Sequence, residues 1–80
     1  MTTTDLHERN RQCDALRELW THLIPNEVPT FNQFDLWLDH CPLSEVVYAV
    51  RRTARKREHT IMSLDHMIRY TSKVMNNRNP

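Results

Sequence analysis

A chain of 80 residues with 39% hydrophobic and 26% charged side chains suits one small domain. It is long enough for a core, yet it buries only about 60 to 65 per cent of its unfolded surface, which leaves little room for a deep substrate cavity. The absence of glycine excludes the glycine-rich turns that cradle phosphates in P-loops and dinucleotide folds. Net charge is +1, but it is unevenly spread. Residues 1–50 hold three basic and eight acidic side chains, a net of −5, whereas residues 51–80 hold eight basic and two acidic, a net of +6. Such a dipole orients towards an anionic partner or pairs with itself. No apolar run approaches the roughly 20 residues of a spanning helix. The opening Met1-Thr2-Thr3-Thr4-Asp5 has neither the basic nor the apolar region of a secretory leader. The expectation is a cytoplasmic protein without membrane contact, its cysteines Cys13 and Cys41 reduced and packed as small hydrophobes.

The first helix is expected from about Thr4 or Asp5, where Asp5 and Glu8 have capping-box spacing, to about Leu23 before Pro25. Leu6, Cys13, Leu16, Trp20 and Leu23 share one stripe at 3.6 residues per turn, which makes Trp20 a core residue. Asn26 to Pro29 reads as a turn. Thr30 and Gln33 then form an S/T-x-x-E/Q box that opens a short second helix, with Phe31, Phe34, Trp37 and Leu38 inward and Leu36 outward. Pro42 disfavours helical angles at the residue before it, which ends that helix near Cys41.

A third helix is expected from Ser44 as N-cap, with Glu45 in the first turn. Val46, Val47, Val50 and Ala54 form its buried stripe, and Tyr48, Arg51, Arg52 and Arg55 occupy the opposite face. Lys56 to Met62 reads as a loop or frayed end. Ser63 or Asp65 begins a fourth helix with Leu64, Met67, Ile68, Thr71, Val74 and Met75 inward, and Asn76, Asn77, Arg78, Asn79 and Pro80 are expected to end in solvent, an asparagine replacing the usual glycine C-cap. The fold is therefore expected to be all-α, a compact bundle of three to four short helices in a single domain over 1–80. Its core is expected to hold Trp20, Phe31, Phe34, Trp37, Leu38, Val47, Val50, Leu64, Ile68 and Val74.

Five histidines and two cysteines raise the question of a metal, since imidazole and thiolate are zinc ligands. None falls in C-x-x-C or H-x-x-x-H spacing, so no metal or other cofactor is expected. His40 beside Cys41 is a poor nucleophilic pair, because adjacent residues diverge on a helix and Pro42 constrains the turn. No enzymatic activity and no small-molecule substrate are expected. The most informative segment is Arg51-Arg52-Thr53-Ala54-Arg55-Lys56-Arg57. Cations at a helix C-terminus gain about 0.3 to 1 kcal/mol each from the dipole. Arg51 and Arg55, however, are like charges at i, i+4, which disfavours the isolated helix. Five cations in seven residues exceed what capping requires, and neutralising phosphates would account for them, with Tyr48 stacking on a base or sugar.

On the fourth helix, Ile68-Arg69-Tyr70-Thr71-Ser72-Lys73-Val74-Met75-Asn76-Asn77 resembles the end of the C-terminal domain of DnaD-type replication proteins of bacteria and phages. That family carries a Tyr followed at +4 by Ile and at +8 by Trp, after a Trp-aliphatic pair and alternating aliphatics and alanine. Trp37-Leu38, Val46-Val47, Ala49-Val50, Tyr70 and Val74 resemble that order, over residues 34–78. Two departures stand out: Arg78 takes the final Trp position, and the loop from Lys56 to Ser63 is longer than the family pattern. The resemblance implies a helical domain that associates with DNA and with replication proteins, and Tyr70 and Val74 are the positions that carry over. Tyr70 also lies at the flank of its apolar stripe, where a tyrosine commonly buries its ring and wets its hydroxyl.

Two functions are expected from these features. The first is a DNA-associated accessory of replication or of a mobile element, using Tyr48, Arg51, Arg52, Arg55, Lys56, Arg69, Tyr70 and Lys73 against nucleic acid. The alternative is a protein-interaction adaptor or homodimer in which the acidic half of one chain meets the basic half of another. A helix-turn-helix reading with residues 44–57 as recognition helix ranks third, because its N-terminal turn carries Glu45 and no basic residue.

Overall fold

In the computed structural model, which describes the backbone of residues 3–78 and the side chains of residues 6–77, the 3.6-residue apolar period is realised as four helices. They are α1 (Thr3–Leu23), α2 (Phe31–His40), α3 (Leu43–Arg57) and α4 (Leu64–Arg78). The described residues contain no strand, so the fold is an all-α bundle. It is flat, with Cα extents of 42 × 30 × 17 Å. The Asp5 side chain expected to cap α1, the side chain of Arg78, and the terminal Asn79 and Pro80 lie outside the described residues.

α1 and α2 pack antiparallel. Near the end of α1, Trp20 meets Phe34 edge to face at 6.3 Å and Trp37 in a stacked arrangement at 6.2 Å. Near its start, the Arg9 guanidinium donates to Asp35 and Asp39 of α2, both at 2.9 Å. Its hydrogen bonds, first that to Asp39 and then that to Asp35, hold Arg9 still more firmly in its charged form. All three groups remain partly in water, which screens such pairs and leaves them little weight in stability. Their role is to fix register. Leu6 shows what happens beyond that register: α1 is about 30 Å long and α2 about 15 Å at 1.5 Å per residue. The stripe of α1 therefore overhangs α2 below Arg9, and Leu6 is 54% exposed instead of buried as its spacing implies.

The cap of α2 follows the sequence: Thr30 Oγ1 accepts the Gln33 N–H at 3.3 Å. Phe34, Trp37 and Leu38 are buried. Phe31, expected in the core, is 39% exposed, because it is the first residue of α2 and the apolar stripe runs out at the helix end. α3 begins two residues earlier than Ser44 as N-cap suggests. Pro42 is its N-cap in extended geometry without a side-chain cap; its carbonyl accepts from Glu45 and Val46 at 3.0 and 3.2 Å. Proline loses nothing there, since the amide it lacks would have no intrahelical partner.

α3 continues through Arg57, so Lys56 and Arg57 are helical and the connecting loop is shorter than expected. Its buried face is Val46, Ala49, Val50 and Thr53, one step round from the expected stripe. Val47 and Ala54 are only partly covered, as are Leu64, Ile68 and Val74 of α4. Fully packed positions go to Cys13, Leu16, Met67 and Met75, all expected on inward stripes, and to Ile24, which was not. α4 starts where Ser63 indicates, its Oγ accepting the His66 N–H at 3.1 Å. A second acceptor comes from far along the chain: Glu27 Oε2 takes the Leu64 N–H at 3.1 Å. The helix then passes through Asn76 and Asn77 to Arg78, and the asparagine that follows, Asn79, lies outside the described residues.

Where α3 crosses α4, the core contains a buried hydroxyl pair. Thr53 Oγ1 and Thr71 Oγ1 are 2.6 Å apart, and each lies within hydrogen-bonding distance of the carbonyl four residues back, Ala49 at 3.0 Å and Met67 at 2.8 Å. Two hydroxyl protons serve three contacts, so one hydroxyl donates to its carbonyl while the other donates to the first hydroxyl. Removing one member leaves the survivor its carbonyl acceptor.

Cys13 and Cys41 form no disulfide, and both are buried. Burial is the main cause that raises the Cys13 thiol above its ordinary value of 9.0, with Asp35 adding to it. A raised native pKa stabilises the fold at pH below the ordinary value, and that contribution fades as pH climbs through the raised one. At pH 8, Cys13 should therefore react with iodoacetamide far more slowly in the native protein than after unfolding, as read by mass spectrometry. Trp20→Ala should cost about 3 to 5 kcal/mol in urea unfolding, since it empties the centre of the aromatic cluster. Thr53→Val should cost less than about 1 kcal/mol, because the remaining hydroxyl stays bonded.

Candidate functional site

The last seven residues of α3 place five cations on two turns of helix. Arg55, Lys56 and Arg57 occupy the final turn, where the exposed carbonyls favour positive charge. Arg51 and Arg52 stand a turn earlier, beyond that benefit. Arg51, Arg52, Arg55 and Lys56 are all exposed on the side of α3 opposite Val46, Ala49, Val50 and Thr53. The ion pairs of the described residues engage Arg9, Arg11 and Arg69. Arg51, Arg52, Arg55, Lys56 and Lys73 take part in none of them.

The pairing of α3 with α4 extends this face sideways. Tyr48 and Arg52 of α3 and Tyr70, Lys73, Val74 and Asn77 of α4 line one shallow groove of about 300 Å³. Arg52 and Tyr70 also line an adjoining concavity with Arg55, Lys56 and His59. Arg52 enters a third, with Tyr48, Arg51 and Arg55. Seven of the eight residues named from the sequence thus share one continuous surface with Arg52 at its centre. Arg69 is the exception: it bonds Asp65 one turn back at 2.8 Å and lines none of these concavities.

The two tyrosines are held differently. Tyr70 is partly buried and packs on the core, in keeping with its place at the flank of the α4 stripe. Tyr48 stands on the outer side of α3 and is 36% exposed. His59 and Asn77 were not among the expected site residues. His59 follows directly on the cationic turn, its N–H bonded to the Lys56 carbonyl at 3.1 Å, and that proximity in the chain was the available signal. Asn77 lies one helical turn beyond Lys73 and two beyond Tyr70, a spacing that becomes informative once α4 is known to continue past Asn76.

The chemistry on offer is that of cation donors beside aromatic surfaces. Arginine presents a planar fork of N–H groups that fits phosphate or carboxylate oxygens, and tyrosine offers a face for stacking. Among the described residues, no three His, Cys, Asp or Glu side chains are grouped to hold a metal ion, and no helix is long and apolar enough to cross a membrane.

Tyr70→Ala should lower stability by roughly 1 to 3 kcal/mol in urea unfolding, since its ring covers the core edge. Arg52→Gln should leave the unfolding midpoint within about 0.5 kcal/mol of the parent, because its guanidinium is exposed. No protein-family model matches the chain, and no curated protein or solved structure matches it.

Proposed function

We propose that this protein is a non-enzymatic binding module whose α3–α4 face takes the phosphate backbone of a nucleic acid. The observation that carries this reading is the position of Arg52, which lines all three concavities and links the α3 cations to Tyr48, Tyr70 and Lys73. Cations on neighbouring turns repel one another. That arrangement is rewarded when an anion with repeated charges lies along them and releases its counterions. Tyr48 and Tyr70 supply stacking surfaces beside the cations, the combination used by single-strand binding proteins.

The resemblance of residues 34–78 to DnaD-type C-terminal domains supports the same face, because Tyr70 and Val74, its two carried-over positions, both line the groove that contains Arg52 and Lys73. By that resemblance the protein is an accessory of DNA replication or of a mobile element. Arg69 contributes at most through long-range charge, given its bond to Asp65.

The test is a titration of labelled single- and double-stranded oligonucleotides at about 50 mM salt, where binding should be at least as tight as the non-specific range of about 10⁻⁴ to 10⁻⁶ M. Replacing Arg51, Arg52 and Arg55 together by Gln should leave the helical spectrum intact and remove most of that binding. For every phosphate that the variant no longer neutralises, the dependence of log affinity on log salt should flatten by about 0.7 to 0.9. No binding of either ligand by the parent protein at low salt would overturn the proposal.

A further inference from the structure

The three concavities of the α3–α4 face are not alike. Two are lined chiefly by cations: Arg52, Arg55 and Lys56 with His59 and Tyr70 in one, Arg51, Arg52 and Arg55 with Tyr48 in the other. The third, of about 300 Å³, has only Arg52 and Lys73 as charges, and the rest of its lining is Tyr48, Tyr70, Val74 and Asn77. A bare phosphate gains nothing from two rings and a valine. The lining suits a flat apolar body that is joined to an anion and carries polar atoms at its edge, which is the make-up of a nucleotide.

Helix spacing and burial say where each part lies. Tyr70, Lys73, Val74 and Asn77 are i, i+3, i+4 and i+7 on α4 and form one stripe about 10 Å long. Tyr70 and Val74 are half-buried, whereas Tyr48, Arg52, Lys73 and Asn77 are exposed. The apolar surface therefore sits low in the groove, and the cations and the amide stand above it.

A duplex makes poor use of such a groove. In paired strands the base faces cover one another and only base edges show. Apolar side chains reach those faces by wedging between base steps, which takes a projecting side chain, and Tyr70 and Val74 are recessed. Entry of α3 into a major groove is obstructed as well. That groove is about 12 Å wide and a single helix about 10 to 12 Å across, while α3 has α4 packed along it through the Thr53–Thr71 contact and the shared hollows. An unpaired strand, by contrast, offers its base faces, and stacking on tyrosine tolerates any base.

We propose that this groove seats an unpaired base, so that the α3–α4 face selects single-stranded nucleic acid over duplex. The base lies against Tyr48, Tyr70 and Val74 with Asn77 at its polar edge. Arg52 and Lys73 take the phosphate of the same nucleotide, and the two cation-lined hollows take the phosphates of its neighbours. This seat presupposes the phosphate-binding reading of the face and adds the form of the strand.

Fluorescence anisotropy with the full chain at about 50 mM salt compares three labelled ligands of equal length. They are an oligothymidylate of about 12 nucleotides, within the usual site size of such proteins, an abasic strand, and a duplex. Oligothymidylate should bind about tenfold or more tighter than either of the others, the weight of one or two stacked bases. Oligouridylate alongside identifies which sugar the strand carries. Tyr48→Ala should cut the affinity for oligothymidylate about fivefold or more and leave the other two ligands nearly unchanged, and Tyr48→Phe should bind like the parent. Tyr48 is exposed on α3, so the helical spectra should not change. Three results overturn the base seat while the phosphate reading stands: a duplex bound as tightly as the single strand, an abasic strand bound like oligothymidylate, or a Tyr48→Ala variant that treats all three ligands as the parent does or weakens them alike. Failure of the parent to bind any ligand removes both.

Discussion

Everything in this small bundle leans on the contact of Trp20, Phe34 and Trp37. The three rings lie 5.7 to 6.3 Å apart in one stacked and two edge-on pairs, the arrangements that the ring quadrupoles favour. Their polar edges reach outward to bind the rest of the chain. Trp20 Nε1 donates to the Glu27 carbonyl at 2.6 Å and so holds the α1–α2 turn. The Glu27 carboxylate caps α4, and Trp37 Nε1 reaches Ser72 in the middle of α4. One aromatic cluster therefore sets the place of α2 directly, and that of the start and middle of α4 by two bonds at its margin. In a domain with so little buried surface, large rings give the most burial per ordered residue.

That anchoring places the candidate site. α4 is pinned at its start and middle to the α1–α2 unit, and it meets α3 through the Thr53–Thr71 pair. The hydroxyls are short enough to let the two helices approach, and their mutual bond avoids the cost of burying them alone. Tyr48, Arg52, Tyr70 and Lys73 are consequently presented from two helices on one surface. The candidate face rests on that seam, with His59 its one contribution from the connecting loop.

Much of the helical layout was legible in the sequence, because it is written in local chemistry. The Thr30–Gln33 box, Pro42 and Ser63 mark helix starts and stops by the hydrogen bonds they make or lack. Trp20, Phe34, Trp37 and Leu38 obey a period that survives folding. The departures have a different origin. Leu6 and Phe31 keep the right period yet sit at helix ends, where exposure depends on how long the neighbouring helix is. Val47 yields its place to Ala49 because α3 is wedged against two helices at once, and small residues let them close in. Thr53 could not be recognised as core from its own segment, since its partner is Thr71. The cations of α3 were visible as a run. Their union with Tyr70 and Lys73, and the exclusion of Arg69, depended on the rotation of α4 against α3, which no local pattern encodes.

The chain turns three corners without a glycine, and no described residue has positive φ. Every joint is built from extended or right-handed backbone, with four prolines in the chain and one of them, Pro42, in the short junction between α2 and α3. Glycine would enlarge the set of conformations the disordered chain explores, and proline shrinks it. The stability of this domain is thus supported from the unfolded side of the equilibrium, by a denatured ensemble with less entropy to surrender. The corners also hold no position where an L-amino acid is sterically barred, which leaves their exposed sites open to sequence change over evolutionary time.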